Sequence, residues 1–118
     1  MSLRQDRVGD VVRRQLAEIV LRDMQDPRVR LASIASVRMS GDLRHAHVGI
    51  SVLGNDDSRL EAVRALDRAK GFLRRRLAAE LGSLKVIPEL TFELDRGAEH
   101  SQRISDLLER LDDDGASS

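Results

Sequence analysis

The feature that most constrains this chain is a helical stretch with a glycine in its middle, set between two segments that alternate like strands. In residues 44–52, Ala46, Val48, Ile50 and Val52 share one face, and His45, His47, Gly49 and Ser51 share the other. Residues 85–95 alternate too, with Leu90, Phe92 and Leu94 inward and Glu89, Thr91, Glu93 and Asp95 outward. Pro88 marks an edge or the start of that strand. Between them, Leu60, Val63, Leu66, Leu73 and Leu77 recur at helical spacing over about residues 59–81. Asp57 or Ser58 is available as the N-cap. A glycine inside a helix costs about 1 kcal/mol relative to alanine, so a kink or break is expected at Gly71. A helix joining two strands is a crossover, which permits parallel pairing and is then right-handed.

The rest of the chain fits around that unit. Residues 4–24 predict a helix with a stripe of Val8, Val11, Val12, Leu16, Ile19 and Val20, closed by Asp26-Pro27. Residues 31–39 predict a strand, and Ser40-Gly41-Asp42-Leu43 turns it back into residues 44–52 as a hairpin. A last helix is expected over 100–111, with Ile104, Leu107, Leu108 and Leu111 on one side. The order is helix, strand, strand, broken helix, strand, helix, an α+β chain with a three-stranded sheet. One domain is expected over residues 1–111, followed by a short acidic disordered tail, 112–118. A chain of 118 residues buries about two-thirds of its unfolded surface, enough for a core without staples. It has no cysteine, so no disulfide and no thiolate chemistry. It lacks a signal-like apolar N-terminus and any run of about 18 apolar residues, so the expectation is a cytoplasmic protein with no membrane contact.

The formal charge is zero, but the charges are segregated. Residues 1–88 carry 17 basic and 11 acidic residues, and residues 89–118 carry 3 and 9. Residues 59–76 hold seven cations, Arg59, Arg64, Arg68, Lys70, Arg74, Arg75 and Arg76, against Glu61 and Asp67. Such segregation points to a polyanion on one face; a solvated helix with ordinary charge fluctuation is the plainer alternative. At 100° per residue from Leu60, the apolar positions fall between about 220° and 360°, and Arg64, Arg68 and Arg75 at about 40°, 80° and 60°. A row of guanidiniums opposite the buried side suits backbone phosphates, which accept bidentate forks. Lys70 and Gly71 add a place where a phosphate backbone can approach the main chain near a helix start. With only Phe72 and Phe92 as aromatics, the composition argues against an aromatic base-stacking surface of the RRM type.

Enzyme chemistry finds little support. No Gly-rich phosphate loop, dinucleotide fingerprint or nucleophile elbow is present. His45 and His47 share a strand face as two metal ligands do, but a site needs three or four ligands; no third His or Cys lies within sequence reach, which leaves Asp42 or a distant Glu to complete one. No catalytic residue, metal or cofactor is therefore assigned.

Four stretches carry a family resemblance: Asp26-Pro27-Arg28; Ser40 through Ala46 and on to Gly54; Ala69-Lys70-Gly71-Phe72-Leu73-Arg74-Arg75 with Leu77; and Pro88-Glu89-Leu90 with Phe92, Leu94 and Asp95. Arg103-Ile104 with Leu107-Leu108 extends it, so order and spacing agree over about residues 3–111. The chain resembles the ribosome-binding factor A family, bacterial assembly factors of the small ribosomal subunit. Gly49 departs from the family pattern, where a larger strand residue is commoner. The resemblance implies a type II KH-like fold in which the usual G-x-x-G loop is replaced by a helix break, here Ala69-Lys70-Gly71. It further implies binding to the free small (30S) subunit and to 16S rRNA near the decoding region. The implied role is late maturation, including 5′-end processing of the 16S precursor, with a link to cold adaptation and release by an assembly GTPase.

The resulting expectation is a monomeric, non-catalytic RNA-binding factor. Its candidate residues are Arg64, Arg68, Lys70, Gly71, Arg74, Arg75 and Arg76, with Arg44 and His45 at the hairpin as secondary contacts. Neutralising about five phosphates would give a slope near −4 in log affinity against log salt. The alternatives are a dimerisation or protein-interaction module paired through the strand carrying Pro88, and a metal-dependent hydrolase using His45 and His47.

Overall fold

Two kinds of strand pairing build one sheet of order β1-β2-β3. The computed structural model describes residues 3–95. Its elements are α1 (Leu3–Asp23), a 3-10 turn (Pro27–Val29), β1 (Ala32–Met39), β2 (His45–Val52), α2 (Asp56–Arg68), α3 (Lys70–Glu80) and β3 (Glu89–Leu94). β1 and β2 form the expected antiparallel hairpin. β3 lies parallel to β2, with His45 beside Glu89 and Ile50 beside Leu94, as the helical crossover permits. The helix expected over 100–111 and the tail at 112–118 lie outside the described residues.

The helices cover one sheet face. Val12, Leu16 and Ile19 of α1, Ala46, Val48 and Ile50 of β2, and Leu66, Leu73 and Leu77 of the crossover are fully buried together. Each large side chain so buried contributes about 1.5–3 kcal/mol. On the opposite face Ser36, Arg38, His45, His47, Thr91 and Glu93 are exposed.

Several boundaries differ from the sequence expectation, each for a local reason. The crossover starts at Asp56, because Asn55 rather than Asp57 or Ser58 is the N-cap: its Oδ1 accepts from Ser58 N–H at 2.8 Å. β3 starts at Glu89, not 85, and Pro88 is buried just ahead of it. In α2 the buried side is Ala62, Ala65 and Leu66, while Leu60 is exposed. Short alanines let the helix lie close to the sheet, and this rolls Leu60 out to the flank. The helix interruption falls at Ala69, where φ is −88° and ψ 2°, and Gly71 is an ordinary second residue of α3. The Ala69 N–H is shared between the Ala65 and Leu66 carbonyls, both at 3.1 Å, so the last turn tightens and the ladder stops. β1 has a bulge between Ile34 and Ser36, which returns Val37 and Met39 to the inner face.

Two glycines mark close approaches. A Cβ on Gly49 would collide with Ser36 Oγ beside that bulge and sit 3.5 Å from the Asp95 Cβ, which accounts for a glycine where a larger residue is commoner. A Cβ on Gly9 would lie 2.9 Å from the Val37 carbonyl oxygen, a backbone atom of β1 that cannot swing aside. Gly9→Ala gains helix propensity but forces α1 off the sheet. It is expected to destabilise the protein by about 1–3 kcal/mol, read as a lower urea midpoint.

Asp26 starts the 3-10 turn. Its carboxylate accepts the Arg28 N–H at 2.9 Å and the Arg28 guanidinium at 2.6 Å. The Arg28 side chain, then its N–H, hold the Asp26 pKa down to about 2 from an ordinary 3.8. A carboxyl whose pKa is lower folded than unfolded stabilises above its unfolded value and loses that effect as pH falls through the folded one. The stability gap between wild type and Asp26→Asn should therefore be constant above about pH 5 and close toward pH 2 in urea titrations. A gap unchanged down to pH 2 would contradict this role.

Candidate nucleic-acid interface

The basic residues of the crossover separate into those held by the fold and those presented outward. Arg64 and Arg75 are exposed and have no side-chain partner among the described residues. Arg68 is exposed and donates only to the Arg64 carbonyl on its own helix, at 3.4 Å. Lys70 is exposed and lies 3.4 Å from Asp67, a pair loose enough to exchange. The break at Ala69 leaves α3 with no side-chain cap, so its first turn, Lys70-Gly71-Phe72, offers N–H groups at an exposed helix start. Gly71 is exposed, and a Cβ there would meet only the Arg75 guanidinium at 3.6 Å, an ordinary contact. The fold itself does not require glycine at this position.

Arg74 and Arg76 are placed differently. Arg74 is half-buried, and its Nε and Nη2 donate to the Pro88 and Ile87 carbonyls at 3.1 and 3.0 Å. It ties α3 to the entry of β3, and a phosphate would have to displace these bonds to reach it. Arg76 lies with its guanidinium 5.4 Å from the Phe72 ring centroid and its Nε 3.8 Å from Asp23. Asp23 also pairs with Arg22 at 3.1 Å, and Arg22 reaches Glu80 at 3.2 Å, so four charges lock the end of α1 to α3. The Arg22 guanidinium holds the Asp23 carboxyl below its usual range.

The hairpin candidates sit at the same end as the β3 entry. Asp42 accepts from Ser40 Oγ–H at 2.7 Å and Arg44 N–H at 3.1 Å, and Ser40 Oγ accepts the His45 N–H at 3.0 Å. Leu43 takes the left-handed conformation, with φ 61°, to close this turn. The Arg44 carbonyl accepts the Glu89 N–H at 2.8 Å, one residue after the Pro88 carbonyl that Arg74 holds. The segment 87–89 therefore joins α3 to Arg44, whose side chain is exposed. His45 lies 4.0 Å from Glu89 on the open sheet face. Among the described residues, no three His, Cys, Asp or Glu side chains are grouped to hold a metal.

A further exposed cation lies outside the sequence cluster, on the 3-10 turn. Arg30 is exposed at the end of the 3-10 turn, which packs on α2. The charge of Arg68 reaches Asp26 and that of Glu61 reaches Arg28, so the turn runs beside Arg68. The contrast between neighbouring arginines is testable. Arg74→Ala leaves two carbonyls without their charged donor and should cost about 1.5–3 kcal/mol, seen as a lower melting temperature. Arg75→Ala should leave the melting temperature unchanged.

Comparison with known proteins gives the same reading of the fold. The pattern of the family described as ribosome-binding factor A matches residues 4–108. The chain is similar to ribosome-binding factor A of Roseiflexus sp. (strain RS-1), 43% identical over 118 residues, covering 100% of this chain and 91% of the relative. It is similar to the solution structure of a putative ribosome binding factor A from Thermotoga maritima, with a TM-score of 0.71 and 35% identity over 82% of this chain and 92% of that one. It is also similar to a homology model of the Thermus thermophilus factor fitted into a cryo-electron-microscopy map of a 30S complex, with a TM-score of 0.62 and 30% identity over 75% and 91%. The fold is thus KH-like, with the crossover broken at Ala69. By sequence over nearly its whole length and by fold, the chain belongs to the ribosome-binding factor A family.

Proposed function

We propose that this protein is a non-catalytic assembly factor that binds the free small ribosomal subunit through the backbone of 16S rRNA and assists late maturation, including 5′-end processing of the precursor. The observation that carries the reading is the outward row of Arg64, Arg68 and Arg75 beside the uncapped, exposed start of α3 at Lys70-Gly71. The Thermus thermophilus relative in a 30S complex supports the choice of partner. Binding an immature rRNA conformation more tightly than the mature one shifts the population between them, and each tenfold preference is worth about 1.4 kcal/mol. Phosphate contacts fix register and carry little sequence information, so selectivity comes from the shape of the rRNA. Arg44 and His45 extend the contact to the hairpin, and an assembly GTPase supplies release.

Since Arg74 and Arg76 are engaged within the fold, the free cations number about four rather than the wider set, and the salt slope should be about −3. Cosedimentation with purified immature and mature small subunits at low and high salt tests this. Wild type is expected to bind, and Arg68→Glu/Arg75→Glu to lose binding while keeping its circular dichroism spectrum. A slope near zero, or equal binding by both, would reject phosphate contact on this ridge. Gly71→Ala separates fold from function more sharply. It should stabilise α3 by up to about 1 kcal/mol and yet weaken subunit binding, because the methyl group blocks close approach of the phosphate backbone.

A further inference from the structure

α1 runs beside the outer edge of β1 but meets only half of it. The Gln5 side chain donates to the Met39 carbonyl at 3.3 Å, and Gly9 brings the helix against the Val37 carbonyl. Further along, helix and strand part, and a groove of about 670 Å³ opens between the last turns of α1 and residues 32–34 of β1. Val20, Leu21, Met24 and Val29 form its apolar wall, and Leu21 is 86% exposed. The register fixes what β1 presents there. The Leu53 N–H donates to the Leu31 carbonyl at 3.1 Å, so these two residues are a hydrogen-bonded pair of the antiparallel ladder. Such pairs alternate, so Ala32 opposite Val52 and Ile34 opposite Ile50 turn their N–H and C=O groups away from β2, toward the free edge. Among the described residues, no backbone hydrogen bond from α1 or the 3-10 turn reaches Ala32 or Ile34. Residues 31–35 also lack the charge or proline that ordinarily guards an exposed edge.

We propose that this groove binds a partner protein by strand addition. An extended acidic-apolar segment pairs with the Ala32 and Ile34 backbone, lays an apolar side chain against Val20, Leu21 and Met24, and sets a carboxylate at Arg30. Unpaired N–H and C=O groups at strand spacing are complementary to another extended backbone, whose alternate side chains then face the wall beside it. The charge of the rim selects the flank. Arg30 lines the groove, is exposed and makes no ion pair among the described residues, whereas the Asp26 carboxylate is held by Arg28 at 2.6 Å. The remaining polar lining, Gln25 and Ser33, is neutral. The open edge spans only about 10 Å, and α1 stands over the rest. That is too short to zip onto the strand of a second copy, since a stable interface buries at least about 1,200 Å². A single extended segment fits it. None of Arg64, Arg68, Lys70 and Arg75 lines the groove, so the segment and a phosphate backbone do not compete for the same groups.

Amide hydrogen exchange on the free, full-length protein is the first test. The Ala32 and Ile34 amides should exchange at least about tenfold faster than that of Ser33, which lies in the ladder. Slow exchange at every dilution would mean that the chain itself fills the edge, and protection that grows with protein concentration would mean a second copy. Either result overturns the proposal. Synthetic peptides of about seven residues, alternating valine with threonine and ending in glutamates, are then titrated in while amide shifts are followed by NMR. Shifts and slowed exchange are expected at Ala32 and Ile34. Peptides with a central proline, or with lysine in place of glutamate, should bind at least about tenfold more weakly. Ala32→Pro removes an outward N–H and leaves the ladder to β2 whole, and Leu21→Ser removes part of the apolar wall. Each should weaken binding at least about tenfold with an unchanged circular dichroism spectrum, and Arg30→Glu should reverse the preference toward the lysine peptide. No shift at Ala32 and Ile34 with any peptide, or equal binding of the proline peptide, overturns strand addition. Single-stranded oligouridine moving these amides in place of the peptides would assign the groove to RNA and overturn it equally.

Discussion

The parallel pairing of β2 with β3 is the constraint on which the rest depends. β2 ends at Val52, and β3 begins at Glu89 beside His45, so the chain must travel back along the sheet before it can pair again. A helical return satisfies its own backbone and buries one side. Leu66, Leu73 and Leu77 take the inner side, and this leaves an outer side with no packing duty. Arg64, Arg68 and Arg75 occupy that outer side. Their position is a by-product of topology, and a phosphate-binding ridge can be written there without disturbing the core.

Much of this was legible from periodicity. The alternation in 44–52 and 89–95, the stripe of α1 and the crossover between strands each follow from where apolar side chains recur. Features that depend on atoms meeting across elements were not. Gly9 reads as a weak spot in a helix until the Val37 carbonyl is placed against it. The bulge between Ile34 and Ser36, which puts Ile34 and Val37 on one face, likewise has no counterpart in the strand reading of residues 31–39. The interruption was attributed to Gly71 on propensity, yet the ladder stops two residues earlier, where the tightened turn at Ala69 competes with the α-helical bond.

The candidate site was legible as a charge pattern and illegible as a set of donors. Seven cations between residues 59 and 76 look alike in a sequence. Packing sorts them by what lies nearby: the Ile87 and Pro88 carbonyls capture Arg74, and Asp23 with the Phe72 ring captures Arg76. The helical projection turns Arg64, Arg68 and Arg75 away from the buried side, and all three are exposed, because angle around the axis is a local property. Whether a neighbouring carbonyl arrives at a given angle is not local.

The mixed sheet also joins pairings of very different span along the chain. Met39 and Ala46 pair across a seven-residue separation, and the hydrogen bonds among Ser40, Asp42, Arg44 and His45 pre-shape that turn. Ala46 and Leu90 pair across forty-four residues. Closing the longer loop costs about 1.6 kcal/mol more chain entropy. The hairpin is thus the local pairing of the sheet, and β3 makes the long-range one. Arg74, holding the two carbonyls just ahead of β3, clasps the crossover to the long-range strand at the point where it enters the sheet.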